Sequence, residues 1–332
     1  MKKENDSVKF FEKKNSHENF HRKQLTIEDS SIINEPENID LLSRILPVSI
    51  DYDDYFLYHS SFYRPISTTK KHCEITTIHD FTHNLYSSFL KKTVHNKLKY
   101  SSIKKSNGII CISNSTYNDL MRYCPPNKNQ KVAVIYNGVS DDYFKIDHPT
   151  ETDLHFLSSN KIVGDYVLFI GSRANYKNFD FVINLLKETP HLMLVVVGEP
   201  FNQQELKKIG KYLLERIILV TNASNNQLNI LYNFALAFIY PSSYEGFGIP
   251  IIESMKSGCP VLALNNSSIP EVSGDASILF DNLSIKNFQN ALIDLKNSDF
   301  KCDLIERGFA QSKKFSWEKC CQETHAFYSE NY

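Results

Sequence analysis

Glycine is scarce in this chain. Only 11 of 332 residues are Gly, no two are adjacent, and the first is Gly108. Nothing before Gly108 can therefore build a glycine-rich phosphate loop, and a Gly-Gly turn is excluded throughout. Cysteine is unpatterned: of seven, only Cys320 and Cys321 lie close together, and no Cys-x-x-Cys spacing occurs. That argues against a zinc ribbon or a disulfide framework and reads as reduced thiols. Charge is balanced to a net −1, which gives no general reason for nucleic-acid binding. No apolar run approaches the ~18–20 residues of a membrane span. The N-terminus is polar and charged, without a visible signal peptide. Together these features suggest a cytoplasmic protein. Acids are also missing locally. From Phe81 to Asn118 there is none, while Lys91, Lys92, Lys97, Lys99, Lys104 and Lys105 fall in one helical pattern.

What is present suits a globular chain of roughly two domains, with 42% hydrophobic and 23% charged residues. Short apolar or β-branched runs predict strands at Val8–Phe11, Asp54–His59, Ile75–Ile78, Gly108–Ile112 and Val132–Tyr136. The polar stretch Asp147–Asn160, with Pro149, reads as a linker. A second series of strands follows at Tyr166–Ile170, Leu192–Val197, Arg216–Val220, Leu236–Tyr240, Val261–Leu264 and Ser277–Phe280. Between them lie helical stripes such as Phe179, Val182, Ile183 and Leu186, or Ile285, Phe288, Leu292 and Leu295. A helix over about 87–105 carries Leu90, Val94 and Leu98 on one face. A last helix starts near Ser316 and carries Trp317, Cys321, Thr324 and Phe327 or Tyr328. The alternation predicts an α/β fold: two Rossmann-like domains with parallel sheets, facing a cleft. Ligands of such sheets lie beyond the C-terminal strand ends. His79-Asp80, Ser113, Gly171–Arg173 and Glu245–Gly248 all fall there.

The stretch Tyr240–Glu253 reads strand, glycine loop, helix. Pro250 is pre-set for a first helical turn. Gly246 and Gly248 permit a tight turn, and the loop N–H groups with the helix N-terminus make an anion site. Glu245 on the loop and Glu253 in the first turn of the helix bracket it. Such a cradle, with donors for a diphosphate and acceptors for hydroxyls, suits a nucleotide sugar.

The run Glu245-Gly246-Phe247-Gly248-Ile249-Pro250-Ile251-Ile252-Glu253 resembles the Glu-x7-Glu signature of retaining GT-B-fold glycosyltransferases of the family 4 type. Phe169–Arg173 with Tyr176–Phe179 is similar to that family's donor-diphosphate motif, and Ser267–Val272 to its downstream segment. In the first half, Tyr58–Ser61, Thr77–Asp80 and Val134–Val139 resemble enzymes of O-antigen or capsule assembly. Phe315–Glu318 is similar to the family's last helix, which crosses back to the N-terminal domain. The family usually opens with a strand and a Gly-Gly loop. Val8–Phe11 resembles its second strand, so the N-terminal domain is expected to lack the first strand–helix unit. The expected parts are an acceptor-side domain over 1–147, a donor domain over 148–313 and a returning helix over 314–332.

The resemblance implies a hexose, with mannose the first guess, transferred from a nucleoside-diphosphate sugar to a hydroxyl of a glycan or lipid-linked acceptor with retention. Arg173 and Lys177 would hold the diphosphate, with Gly171 and Ser172 beside it. Gly246, Phe247, Gly248 and Ile249 would offer backbone donors, Glu245 would lie near the sugar, and Glu253 would take the ribose. His79 is the acceptor-side candidate, with His59 a weaker one, while Ser113 could contact phosphate or equally cap a helix. No cofactor and no metal are expected; Asp51-Tyr52-Asp53 has a metal-motif spacing but sits in an Asp/Tyr-rich loop. The basic helix over about 87–105 could touch an anionic membrane or simply be solvated. A silent nucleotide-sugar-binding or scaffold subunit and a nucleotide-sugar epimerase are the competing functions.

Overall fold

The computed structural model describes residues 8–12, 27–34, 46–50, 52–87 and 89–332, without the side chains of 89–91. The expected roles of Leu90, Lys91 and Asp51 therefore lie outside the described residues. The chain divides into two compact units, Met1–Ser49 and Ile50–Tyr332. In the first, Phe10–Glu12 pairs in parallel with Ile32–Asn34. This strand starts two residues later and ends one residue later than the sequence suggested.

The second unit carries two parallel sheets. The first joins β1 (Phe56–Ser60), β2 (His72–Ile78), β3 (Gly108–Cys111) and β4 (Lys131–Val134) in that order. β3 is buried along its whole length and β2 along most of it. That is why they read as β-branched runs rather than as alternating strands. Between β2 and β3 come α1 (Thr82–Tyr86) and α2 (Phe89–Lys105), and α3 (Asn114–Tyr123) follows β3. One sheet face packs Ile78 and Ile109 against Ile103 of α2 and Leu120 of α3. The face of α2 turned inward is Lys99, Ser102 and Ile103, while Val94 is 52% exposed. The expected apolar stripe through Val94 is therefore not the packing face.

The supposed linker also folds differently. Glu151–Ser159 forms α4, started by a capping box in which Thr150 and Asp153 bond each other's backbone N–H. Leu157 anchors it in the largest core cluster. The polar composition hid a helix that needs only one buried side.

The second sheet has the order β7-β6-β5-β8-β9-β10, all parallel. The strands are β5 (Tyr166–Ile170), β6 (Met193–Val197), β7 (Ile217–Val220), β8 (Ala237–Tyr240), β9 (Val261–Leu264) and β10 (Ile278–Phe280). Among its helices are α5 (Phe179–Lys187), α6 (Gln203–Ile209), α7 (Asn225–Phe234), α8 (Ile249–Lys256), α9 (Ile269–Ser273), α10 (Ile285–Asp294) and α11 (Ser298–Ser312). Phe179, Val182, Ile183 and Leu186 of α5 and Phe288 and Leu292 of α10 cover one face. Residues of α7 and α8 cover the other. Strand order reverses between β5 and β8, so the crevice beyond their C-terminal ends is a topological switch point.

The last helix, α12 (Trp317–Asn331), packs on the free face of the first sheet. Phe327 joins Cys73, Ile75, Ile110 and Ile135, with Cys320 and Tyr328 alongside. Trp317 is 50% exposed and Cys321 is exposed, so the buried stripe differs from the expected one. Val139 bridges Ser316 in parallel as the chain enters the helix.

Candidate active site

The loops after β5 and β8 meet at the switch point and are fastened to each other. Asn178 sits in the left-handed region at φ 52°, between the 3-10 turn Asn175–Lys177 and α5. Asn tolerates this conformation better than most residues. Its side-chain amide donates to Pro241 O and Ser243 Oγ, both at 2.7 Å. The Ser243 N–H donates to Tyr176 O at 2.7 Å. Reading the sequence did not single out Asn178; an Asn immediately before a helix was the available signal.

The glycine loop is oriented by hydroxyl groups. Ser268 Oγ lies 2.9 Å from Glu245 O and 2.8 Å from Phe247 O. Gly246 O is met by Ser113 Oγ at 2.7 Å and Thr116 Oγ1 at 3.1 Å. The Glu245 N–H donates to Ser267 Oγ at 2.9 Å. With its carbonyls engaged, the loop leaves the N–H groups of Gly246, Phe247 and Gly248 without an acceptor among the described residues. Gly248 has φ 109°, which a side chain would strain. The Phe247 ring is buried in the core against Tyr136 and Phe315, so only its backbone faces the crevice. Ile249 and Pro250 start α8 behind the loop.

Each expected cation lies in an ion pair. Lys177 Nζ is 2.5 Å from Glu245 Oε1, with both side chains largely buried. The ammonium also lies 5.2 Å from the centre of the Tyr240 ring. Arg173, expected beside the diphosphate, is bonded more fully than Lys177. Its Nε and Nη2 hold the two oxygens of Glu205 at 2.7 and 3.2 Å, and its remaining bonds go to Glu199 O and Pro200 O, both at 2.9 Å. The guanidinium packs over Phe201 at 4.8 Å. This bonding holds the Glu205 carboxyl below its ordinary pKa. Arg173 therefore ties the β5 loop to the start of α6. Gly171 bonds back to Val197 O at 2.9 Å, and Ser172 is exposed at the loop tip.

Glu253 lies in the second turn of α8, not the first as expected. Tyr232 of α7 donates to its Oε2 at 3.1 Å, and the Tyr143 hydroxyl also bonds it. Burial pushes the carboxyl up to about 7, against the two hydroxyls, which lower it. Neither tyrosine carried a local sequence signal, because both reach Glu253 from distant segments.

His79 directly follows β2, and its Nε2 donates to Ser61 O at 2.8 Å, not to Asp80. It directly faces the glycine loop: a Cβ on Gly246 would fall 2.0 Å from His79 O. The second glycine-loop anchor is Tyr244, whose hydroxyl accepts from Phe81 N at 2.9 Å and donates to Asp119 Oδ2 at 2.7 Å. Glu271 of α9 makes a third crossing, accepting from Asn114 N at 3.0 Å and Ser115 N at 3.2 Å at the start of α3. Ser113 caps α3 through Thr116 N, and its hydroxyl also reaches the glycine loop at Gly246 O. Below His79, the buried Lys99 Nζ donates to Asp80 O at 2.5 Å. Lys99 thus leaves the basic surface on which the sequence placed it. His59 is held by the Tyr328 hydroxyl at 2.5 Å and the Thr77 hydroxyl at 2.7 Å, a structural post under α12. Burial, then nearby His79, lowers its pKa to about 4.

Two facing Rossmann-like sheets, with an N–H cradle at a switch point and acids on either side, define a GT-B architecture. Comparison agrees. Residues 159–310 match the model for Glycosyl transferases group 1, and residues 42–143 match that for Glycosyltransferase Family 4. These matches, which fall in the two halves of the chain, support a family 4-like GT-B glycosyltransferase. It is 28% identical over 293 residues to the O-antigen chain mannosyltransferase B of Escherichia coli, covering 82% of this chain and 74% of that one. It is 24% identical to the serotype-specific mannosyltransferase WbdA of Escherichia coli over 66% of this chain, yet spans only 28% of that protein. The fold superposes on Anabaena Alr3699/HepE, solved in complex with UDP-glucose, with TM-score 0.64 and 17% identity, over 78% of this chain and 72% of that one.

Proposed function

We propose that the chain transfers a hexosyl group from a nucleoside-diphosphate sugar to a hydroxyl of a glycan or lipid-linked saccharide, with retention at the anomeric carbon. Mannose is the sugar in the names of the matched relatives, so a guanosine-linked mannosyl donor is tested first. The observation that carries the reading is the row of three N–H groups, Gly246 to Gly248, beside Lys177 at the switch point. Anionic oxygens satisfy such donors, and a diphosphate would draw the Lys177 ammonium away from Glu245. The released carboxylate then accepts from the sugar hydroxyls. In the transfer, the bond from the anomeric carbon to the β-phosphate oxygen breaks and its electron pair stays on phosphate. The acceptor oxygen bonds the carbon from the same face, and its proton passes to the departing phosphate. Lys177 and the loop N–H groups stabilise the growing charge. Glu253 holds the ribose hydroxyls.

Calorimetric titration with GDP, UDP and GDP-mannose, followed by product analysis with a saccharide acceptor extract, tests this. Lys177→Ala and Glu253→Ala should each weaken nucleotide binding by about tenfold or more. Nucleotide-sugar binding without transfer to any acceptor would instead make the chain a binding subunit.

Helix α2 exposes Lys97, Lys104, Lys105 and Val94 on the acid-free segment. We infer that this face meets anionic lipid at the cytoplasmic side of a membrane, where a lipid-linked acceptor would lie. Co-sedimentation with phosphatidylglycerol vesicles should fall when these three lysines become Gln; unchanged binding rejects the contact. Among the described residues, no helix is long and apolar enough to cross a membrane.

A further inference from the structure

The donor half of the cleft accounts for Lys177, Glu245, Glu253 and the loop amides. It leaves unused an aromatic pair that spans the two sheets. Tyr86, at the end of α1, places its ring 5.2 Å from that of Tyr176 and 6.4 Å from that of Tyr244. These partners directly precede Lys177 and Glu245, so Tyr86 stands beside the donor-sugar position rather than on the outer face of the molecule. Tyr86 nevertheless remains 46% exposed. Tyr176 is better enclosed: burial, then the Glu245 and Asp80 carboxylates, pushes its hydroxyl up to about 12. Its ring therefore lies between the strand end that carries His79 and the loop that carries Glu245.

An exposed aromatic face flanked by polar groups in a cleft is a binding surface. A pyranose ring offers a matching apolar face of C–H groups, rimmed by hydroxyls. His79 adds a polar edge. With Nε2 committed to Ser61 O, Nδ1 is the ring nitrogen left to meet a hydroxyl. Resting on the transferase reading above, we propose that Tyr86 and Tyr176 form a saccharide platform on the acceptor side, which stacks the acceptor's sugar ring and directs its hydroxyl toward the donor carbon. The platform selects a sugar face, not a lipid chain, as the feature recognised on the acceptor.

The test uses the full chain loaded with GDP or UDP, whichever binds, and saturation-transfer-difference NMR with methyl α-mannoside, mannobiose and maltose as probes. Saturation should reach the ring C–H protons of at least one probe. Tyr86→Ala should reduce that transfer about tenfold, while Tyr86→Phe and Tyr86→Trp retain it, because they keep the stacking face. Nucleotide affinity should stay within about twofold in all three variants, which excludes a folding defect. The proposal is overturned if Tyr86→Ala changes nothing, or if no probe receives saturation while nucleotide binds. It is also overturned if Tyr86→Ala instead lowers binding to phosphatidylglycerol vesicles, which would make the ring a membrane contact. Failure of both nucleotides to bind would reject the donor reading itself.

Discussion

The two halves of the cleft are built by opposite strategies. On the donor side, β5 and β8 are neighbours, and each supplies its loop within a few residues of its end. The two loops close on each other through partners such as Asn178 and Ser243, 65 residues apart in sequence but adjacent at the ends of neighbouring strands. On the other side, the first sheet depends on chain far away in sequence. One face is covered by α12, His59 is fixed by Tyr328, and the start of α3 is capped by Glu271. The donor loops meet at adjacent strand ends of one sheet, and the glycine loop is held in addition by Ser113 and Thr116 of the first half. The acceptor side is an assembly held by the last helix and by α9.

The largest expected effect breaks the donor side at its charge pair. Lys177→Ala would leave Glu245, whose side chain is 13% exposed, without its cation. Removing one partner of a buried pair costs about 3 kcal/mol, because the remaining charge is stranded. Urea denaturation should show that loss, and the Lys177→Met/Glu245→Gln double variant should recover most of it. A loss below about 1 kcal/mol in the single variant would mean that this pair does not hold the two loops together.

A smaller effect is expected from separating the halves. At Gly138 a Cβ would lie 2.1 Å from the Trp317 backbone N, and a main-chain atom cannot swing aside. Gly138→Ala should push α12 off the first sheet and lower stability by about 1–3 kcal/mol. Limited proteolysis should then cut near Ser316, while nucleotide affinity stays within about twofold. If affinity falls in step with stability, the donor side is not independent of α12. Asn178 probes the same contrast from the donor side. Asn178→Ala loses two hydrogen bonds and strains φ 52°, for about 1–2 kcal/mol. Asn178→Gly should lose less, since it relieves the strain, although the bonds are gone.

This contrast also explains what could be read from the sequence. The parallel sheets, the α5 and α10 stripes and the Glu245–Glu253 loop were legible because each is a pattern within about ten residues. The Phe288 and Leu292 side chains are buried as their spacing required. Lys99 was misread because a lysine among lysines looks solvated; only the fold sets its ammonium against the Asp80 carbonyl and the Phe81 ring. The ion pair of Arg173 was not legible either, since Glu205 lies 32 residues away. Glu271, Tyr143 and Tyr232 went unassigned because their partners come from other segments. α4 was missed because its capping box uses Asp where Glu or Gln is the familiar signal.

The smallest effect is a slope, and it sharpens the comparison at Glu253. Burial raises this carboxyl from 4.5 to about 7 in the folded protein. Between those values the folded state keeps a proton that the unfolded chain has lost, so Glu253 makes stability fall as pH rises from 4.5 to about 7. Nucleotide binding should run the other way. Ribose hydroxyls donate best to an ionised carboxylate, which only accepts, so affinity should rise as pH passes about 7. Glu74, in the first sheet, is also pushed by burial to about 7 and adds its own falling stability slope. Subtracting the Glu253→Gln curve from that of the native chain removes the Glu74 contribution and leaves the donor-side term. Opposite slopes for stability and affinity, both lost in Glu253→Gln, would place the ribose on this carboxylate. An affinity curve that Glu253→Gln leaves unchanged would move the ribose elsewhere, even with the stability slope intact.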